Sequence, residues 1–159
     1  THAAYAQSEY AVLNALLPVR MKVDKRPLPW VTFTDPEVAH VGPRRQVLEK
    51  IGGLQVHTVT FNHNDRARVD GEHQGFARVH CKANGQIVAA TIVCRGAGAL
   101  ISEVCLAMTT KTGLRGIGDT IHPYPTRSDY VRKLADEYNL ARVNDGHRNW
   151  LRRWFRLLR

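Results

Sequence analysis

Apolar and polar positions change period several times along this chain, and each change marks an element. Residues 2–17 set Ala3, Ala4, Val12, Leu13, Leu16 and Leu17 in helical register, and Pro18 ends the run. Trp30 to Thr34 alternates β-branched and aromatic residues and predicts a strand. Pro43 suits the first turn of a helix reaching Lys50, with Gly52-Gly53 as its stop. Val56 to Phe61 predicts a second strand, and Asn62-His63-Asn64-Asp65-Arg66 reads as a polar turn. Phe76–Lys82 and Gln86–Val93 are strands joined through Ala83-Asn84-Gly85, a hairpin signal because Asn and Gly both accept positive φ. Ala99 to Thr110 carries Leu100, Ile101, Val104, Cys105 and Met108 on one helical stripe, with Gly113 as the predicted C-cap. Ile117–Thr120 leads into a proline-bearing segment, and Ser128 to Leu140 forms the last helix of the body. Beyond the first helix the order is β-α-β-β-β-α-α. It predicts an α+β domain, an antiparallel sheet with helices packed on one face.

Composition narrows the class. A 159-residue chain with 43% apolar residues can fill one core and is too apolar to be disordered. It holds no apolar run long enough to span a bilayer and opens on no signal-peptide pattern. Cys81, Cys94 and Cys105 are odd in number and widely spaced, which points to reduced buried thiols and a cytoplasmic setting. His57, His63, His73 and His80 show no i, i+4 spacing and no cysteine neighbour, so no metal site is expected of them.

The charge of +9 is uneven. From Arg142 to the end, six arginines and one aspartate contribute +5, leaving the body mildly basic. Written as a helix, Arg148–Arg159 puts Trp150, Leu151, Trp154, Phe155 and Leu158 on one face and its arginines largely on the other. Such a helix suits an anionic membrane surface, and equally it can pack its aromatic face on the body or across a dimer. No nucleic-acid reading motif accompanies the charge, so no nucleic acid is expected as partner.

The densest chemistry lies in His122-Pro123-Tyr124-Pro125-Thr126-Arg127-Ser128-Asp129. The prolines hold His122 and Tyr124 extended, and Thr126 or Ser128 is placed to cap the helix that contains Asp129. A tyrosine on a stiff segment beside a first-turn carboxylate can do chemistry. The same residues also make an ordinary helix N-terminus in which Asp129 complements the dipole. Glu103, beside an apolar stripe, either pairs at an interface or faces solvent.

Pro125-Thr126 and Asp129 resemble the C-terminal signature of the pyridine nucleotide-disulfide oxidoreductases, His-Pro-Thr followed two residues later by Glu. The family includes lipoamide dehydrogenase, glutathione reductase and mercuric reductase. Tyr124 stands where its catalytic histidine stands, as it does in mercuric reductases. The run from Pro29 to Gly42, with Asp35-Pro36-Glu37, looks like the family's strand entering its dimerisation domain, and Thr1-His2-Ala3-Ala4 like the helix under its flavin. The similarity runs from residue 1 to about residue 140.

What the resemblance implies is specific. The chain would be the dimerisation domain of an FAD-dependent, NAD(P)H-using oxidoreductase and an obligate homodimer. Its catalytic candidates are Tyr124, Asp129 and His122, which would complete the active site of the partner subunit, and its FAD contacts are Thr1 and Ala4. The Cys-x4-Cys pair and the G-x-G-x-x-G fingerprint do not occur, and in this family both lie upstream. The chain therefore reads as the C-terminal third of a flavoenzyme, inactive alone and binding neither FAD nor NAD(P)H by itself, its partners being the upstream FAD and NAD(P) domains. Residues 1–26 would be an FAD-domain remnant with a linker, 27–141 the dimerisation domain and 142–159 a basic tail. The tail lacks the terminal cysteine pair of mercuric reductases, which speaks against mercury as substrate. The alternative function is a non-catalytic dimerisation or membrane-surface tethering module, peripheral to the membrane through that tail.

Overall fold

A computed structural model describes residues 1–18, 20–22, 27–72, 74–143 and 152–157. Helix α1 (His2–Leu16) comes first, followed by strands β1 (Pro29–Thr32) and β2 (Glu37–Val41) and the short helix α2 (Arg45–Leu48). Strand β3 (Gln55–Thr60) runs through a 3-10 turn at Phe61–His63 into α3 (Asp65–Val69). Then come β4 (Phe76–Cys81), β5 (Ile87–Cys94), α4 (Ala97–Thr109), α5 (Gly113–Asp119) and α6 (Asp129–Arg142).

The five strands make one sheet in the order β1-β2-β5-β4-β3, and every neighbouring pair is antiparallel. Alternation gives the sheet two unlike faces. One carries Ala39 and Val41 of β2, Ala77, Val79 and Cys81 of β4, and Ile92 and Cys94 of β5, all buried. Helix α4 lies over β2 and β5, and α6 over β3 and β4, with α5 between them. Ile101 and Val104 of α4 and Tyr130, Val131, Leu134 and Tyr138 of α6 are at most 1% exposed. At about 1.5–3 kcal/mol for each large apolar side chain removed from water, this layer holds the helices on the sheet. The α+β architecture with helices on one face is the one the periodicities predict.

Three differences from the predicted order have physical causes. The Pro29–Gly42 run is two strands, because residues 33–36 turn the chain back and Thr34 Oγ1 donates to the Pro36 carbonyl (2.7 Å). The polar stretch after Phe61 includes α3, capped by Asn64, whose side chain accepts the Ala67 N–H. Gly113 has the positive φ expected of a cap (+63°) but opens α5, while α4 ends at Thr109 with Thr110 as its C-cap. The Gly113 conformation lets its backbone pass close to the β4–β5 hairpin. A Cβ there would lie 2.5 Å from the Gly85 carbonyl oxygen, which accepts the Leu114 N–H.

Among the described residues no helix is long and apolar enough to cross a membrane. The linker expected at the end of residues 1–26 and the tail expected at 142–159 fall partly outside the described residues, which omit 23–26, 144–151 and 158–159. Residues 152–157 are helical.

Candidate functional site

The proline-bearing segment connects α5 to α6, and each of its polar side chains is tied to a different neighbour. His122 Nδ1 lies 2.9 Å from the Thr120 carbonyl, which sets that nitrogen as the donor. Nε2 lies 2.7 Å from Glu103 Oε1 on α4, and the imidazole side chain is only 5% exposed. Glu103 and His122, separate candidates in the sequence, are thus one pair. Thr126 Oγ1 donates to the Pro123 carbonyl (2.7 Å) and lies 2.8 Å from Ser128 Oγ. Ser128 is the N-cap residue of α6, but neither hydroxyl makes the side-chain capping bond; each is spent within the loop.

Tyr124 points outward, 74% exposed, and its hydroxyl donates to Asp65 Oδ2 at 2.7 Å. Asp65 is the first residue of α3. Donating to Asp65 and lying in its negative field, the phenol is held above the ordinary tyrosine pKa. Tyr124 therefore stays protonated at neutral pH.

Asp129, the acid of the signature-like segment, is engaged elsewhere. Its carboxylate accepts from Arg132 Nε (2.9 Å) and from Lys133 Nζ (3.0 Å). Burial works to raise its pKa, but the bonds and charges of Lys133 and Arg132 prevail and hold it below the usual carboxylate range. Tyr124, Asp129 and His122 are close in sequence, yet no hydrogen bond joins any two of them. Tyr124 is anchored from α3 and His122 from α4, whereas Asp129 is held within its own helix.

The anchor for the whole segment is Asn64. Its side chain is 1% exposed, accepts the Ala67 N–H (2.9 Å) and donates to the Thr126 carbonyl (3.0 Å). Beside it, Lys133 Nζ reaches the His63 carbonyl at 2.5 Å. Further along, Arg127 bridges Asp70 and Glu72, and these acids also bind Arg66 and Arg95. Arg66 above all, with Arg127, holds the Asp70 carboxyl below its usual range. In the sequence Asn64 and Asp65 read only as turn residues. A local signal did exist, since asparagine followed by an acid is an N-cap with a first-turn acid. The partnership of Asp65 with Tyr124 spans 59 positions and leaves no local trace.

Around this segment runs an apolar, solvent-facing margin. A cleft of about 540 Å³ is lined by Glu103, Leu106, Ile117, Ile121, His122 and Pro123 among others. Leu106 is 63% exposed and Ile121 96% exposed. Ile121 and Pro123 line this cleft with Leu106, and exposed Tyr124 follows them on the same short loop, an apolar arrangement that water tolerates poorly.

The remaining candidates are placed as follows. Thr1 is the N-cap residue of α1 without a side-chain capping bond, and Ala4 lies in the first turn. Glu37, of the Asp35-Pro36-Glu37 motif, accepts the Gly98 N–H (3.0 Å) and so ties β2 to the start of α4. His57 faces Tyr138 edge-on at 5.8 Å, His63 ends the 3-10 turn, His80 lies on β4, and His73 is outside the described residues. Among the described residues no three His, Cys, Asp or Glu side chains are placed to hold a metal ion. Burial raises the pKa of all three cysteines, that of Cys94 to about 12.

The geometry has counterparts in known proteins. Residues 28–135 match the family model for the pyridine nucleotide-disulphide oxidoreductase dimerisation domain. A dihydrolipoyl dehydrogenase of Trypanosoma brucei brucei is 38% identical over 110 residues, covering 68% of this chain and 23% of that protein. A mercuric reductase of Streptomyces lividans is 28% identical over 139 residues, 86% of this chain and 29% of that protein. The HOCl-induced flavoprotein disulfide reductase RclA from Escherichia coli superposes with a TM-score of 0.71 at 22% identity, over 82% of this chain and 30% of that one. The chain thus spans between a fifth and a third of the length of these proteins.

Proposed function

Since the chain belongs to the pyridine nucleotide-disulphide oxidoreductase dimerisation domain family, we propose that it pairs with a second copy and carries Tyr124 into the partner subunit's active site. The parent activity on this reading is FAD-dependent oxidoreduction with NAD(P)H, using FAD and NAD(P) domains that these residues do not form. The observation that carries it is the exposed corner of Leu106, Ile121 and Tyr124, with Tyr124 at the signature position. Covering Ile121 and Leu106 would contribute about 1.5–3 kcal/mol each. That is a sizeable share of what association must overcome.

The first turn of α1 is compatible with a flavin. It has no acid and no side-chain cap, so its backbone N–H groups can meet an electron-rich carbonyl, and Thr1 and Ala4 would hold the cofactor there. FAD when bound supplies two-electron transfer between the nicotinamide and a disulfide. The chain's own part is to position and to exclude water. His122, braced by Glu103 and the Thr120 carbonyl, stiffens the loop, and the protonated Tyr124 sits at its tip. A phenol kept protonated is a poor general base, so the reading assigns Tyr124 to substrate orientation and not to proton abstraction.

Light scattering during size-exclusion chromatography tests the pairing. A mass near twice 17.9 kDa that falls to one copy in Ile121→Asp supports it. A monomeric wild-type chain would sink pairing by these residues alone. A second reading concerns the tail, where residues 152–157 are helical and expose Trp154, Phe155 and Leu157 beside three arginines. This supports tethering to an anionic membrane surface. Co-sedimentation with phosphatidylserine vesicles that survives removal of residues 142–159 would refute it.

A further inference from the structure

We propose that Asp65, the first residue of α3 and remote from the signature segment in sequence, is the positioning residue of Tyr124, and that the phenol therefore meets its ligand as a hydrogen-bond acceptor. The inference rests on the reading of Tyr124 as the side chain presented to the partner's site, and it adds which acid orients it and what kind of group it can receive.

An exposed tyrosine on a loop ordinarily samples several rotamers. Here the hydroxyl proton is committed to Asp65 Oδ2 at 2.7 Å, a charge-assisted bond of the stronger kind. Asp65 is itself well fixed. It is the first residue of α3, whose cap Asn64 is buried and grips the Thr126 carbonyl two residues beyond Tyr124. Lys133 holds the other side of the same turn through the His63 carbonyl. Donor and acceptor are therefore mounted on one frame and move together.

Asp129 could have been the orienting acid, since it stands at the signature's acidic position. It is held instead by Arg132 and Lys133 on its own helix, with Arg132 also bonded to Asp136. The charged groups around the phenol are accordingly Asp65 from α3 and Asp129 from α6, the latter neutralised by two cations. The consequence is chemical. A phenol whose proton points at Asp65 turns only lone pairs outward. The group it receives must bring a proton or a positive charge, a thiol S–H or hydroxyl in preference to a thiolate.

The test is the pH titration of tyrosine 13Cζ resonances in the 159-residue chain, with Tyr124→Phe assigning the signal. Wild-type Tyr124 is expected to titrate above an ordinary tyrosine. Asp65→Asn should shift its midpoint downward, Asp65→Glu should restore part of the elevation, and Asp129→Asn should shift it less than Asp65→Asn does. Asp65→Glu keeps the charge and the helix start, so it reports even where Asp65→Asn loosens α3. An unmoved midpoint in Asp65→Asn, or an equal shift in Asp129→Asn, would overturn the assignment. Failure of the wider functional reading shows separately. Tyr124→Phe with undiminished NAD(P)H-dependent disulfide reduction in the dimeric holoenzyme would remove the catalytic role, while the titration still decides the Asp65 contact.

Discussion

Removing the Asn64 side chain should cost the fold more than any other single polar change near the signature loop. Asn64→Ala deletes two bonds at once. The cap on the Ala67 N–H is worth about 1 kcal/mol. The Thr126 carbonyl, left without its donor (3.0 Å), adds about 1–3 kcal/mol if water does not reach it. Together the loss is roughly 2–4 kcal/mol, a drop of about 4–16 °C in Tm for a chain of this size. Urea midpoints and thermal melts followed by circular dichroism read it directly. Asn64→Asp separates the two parts, since it keeps the acceptor for Ala67 and loses the donor for Thr126. Its loss should fall between wild type and Asn64→Ala. A change under about 0.5 kcal/mol in Asn64→Ala, the scale of an ordinary surface substitution, would refute the view that this residue anchors the loop.

Other outcomes follow from the same contacts. Gly113→Ala should destabilise by about 1–3 kcal/mol by overpacking against the Gly85 carbonyl, with positive φ adding strain, and an unchanged urea midpoint would contradict that close approach. Burial first of all holds His57 and His80 below the ordinary imidazole pKa. The unfolded chain therefore takes up these protons first, so stability is full above about pH 6.5 and declines as pH falls through that value toward the depressed folded pKa. A urea midpoint flat from pH 8 to pH 5 would count against it, and His57→Gln should flatten part of the slope. Cys94, 2% exposed with a pKa of about 12, should resist Ellman's reagent at pH 8 until the protein is unfolded, and stoichiometric labelling of the native chain at Cys94 would show the site to be open.

The sequence was most legible where a local rule decided the structure. Asn84-Gly85 marks the β4–β5 hairpin because the turn itself needs positive φ, and Gly85 has φ of +86°. The stripe on α4 and the apolar face of α6 follow from helical period alone. Illegible were elements short enough for one contact to decide them. Helix α5 contains three poor helix formers, Gly113, Gly116 and Gly118, the first of which reads as a cap, and it forms because Leu114 and Ile117 bury against the body. Strand β2 was hidden by Asp35-Pro36, a breaker pair that turns the chain without ending the sheet. At the site, Tyr124, Asp129 and His122 stood out by type and spacing, and each does lie on or beside one loop. Glu103 stood out too, but not its pairing with His122, and Asp65 and Asn64 did not stand out, because all three meet the loop only through the packing of α3 and α4 against it.

The frame built on Asn64 also bears on how such a site can be moved between proteins. A graft of residues 120–130 onto another scaffold would transfer the tyrosine and lose the acid, the carbonyl grip and the lysine tie that aim it. The smallest portable piece is two strips of chain, 61–72 and 120–133, exchanged as one unit.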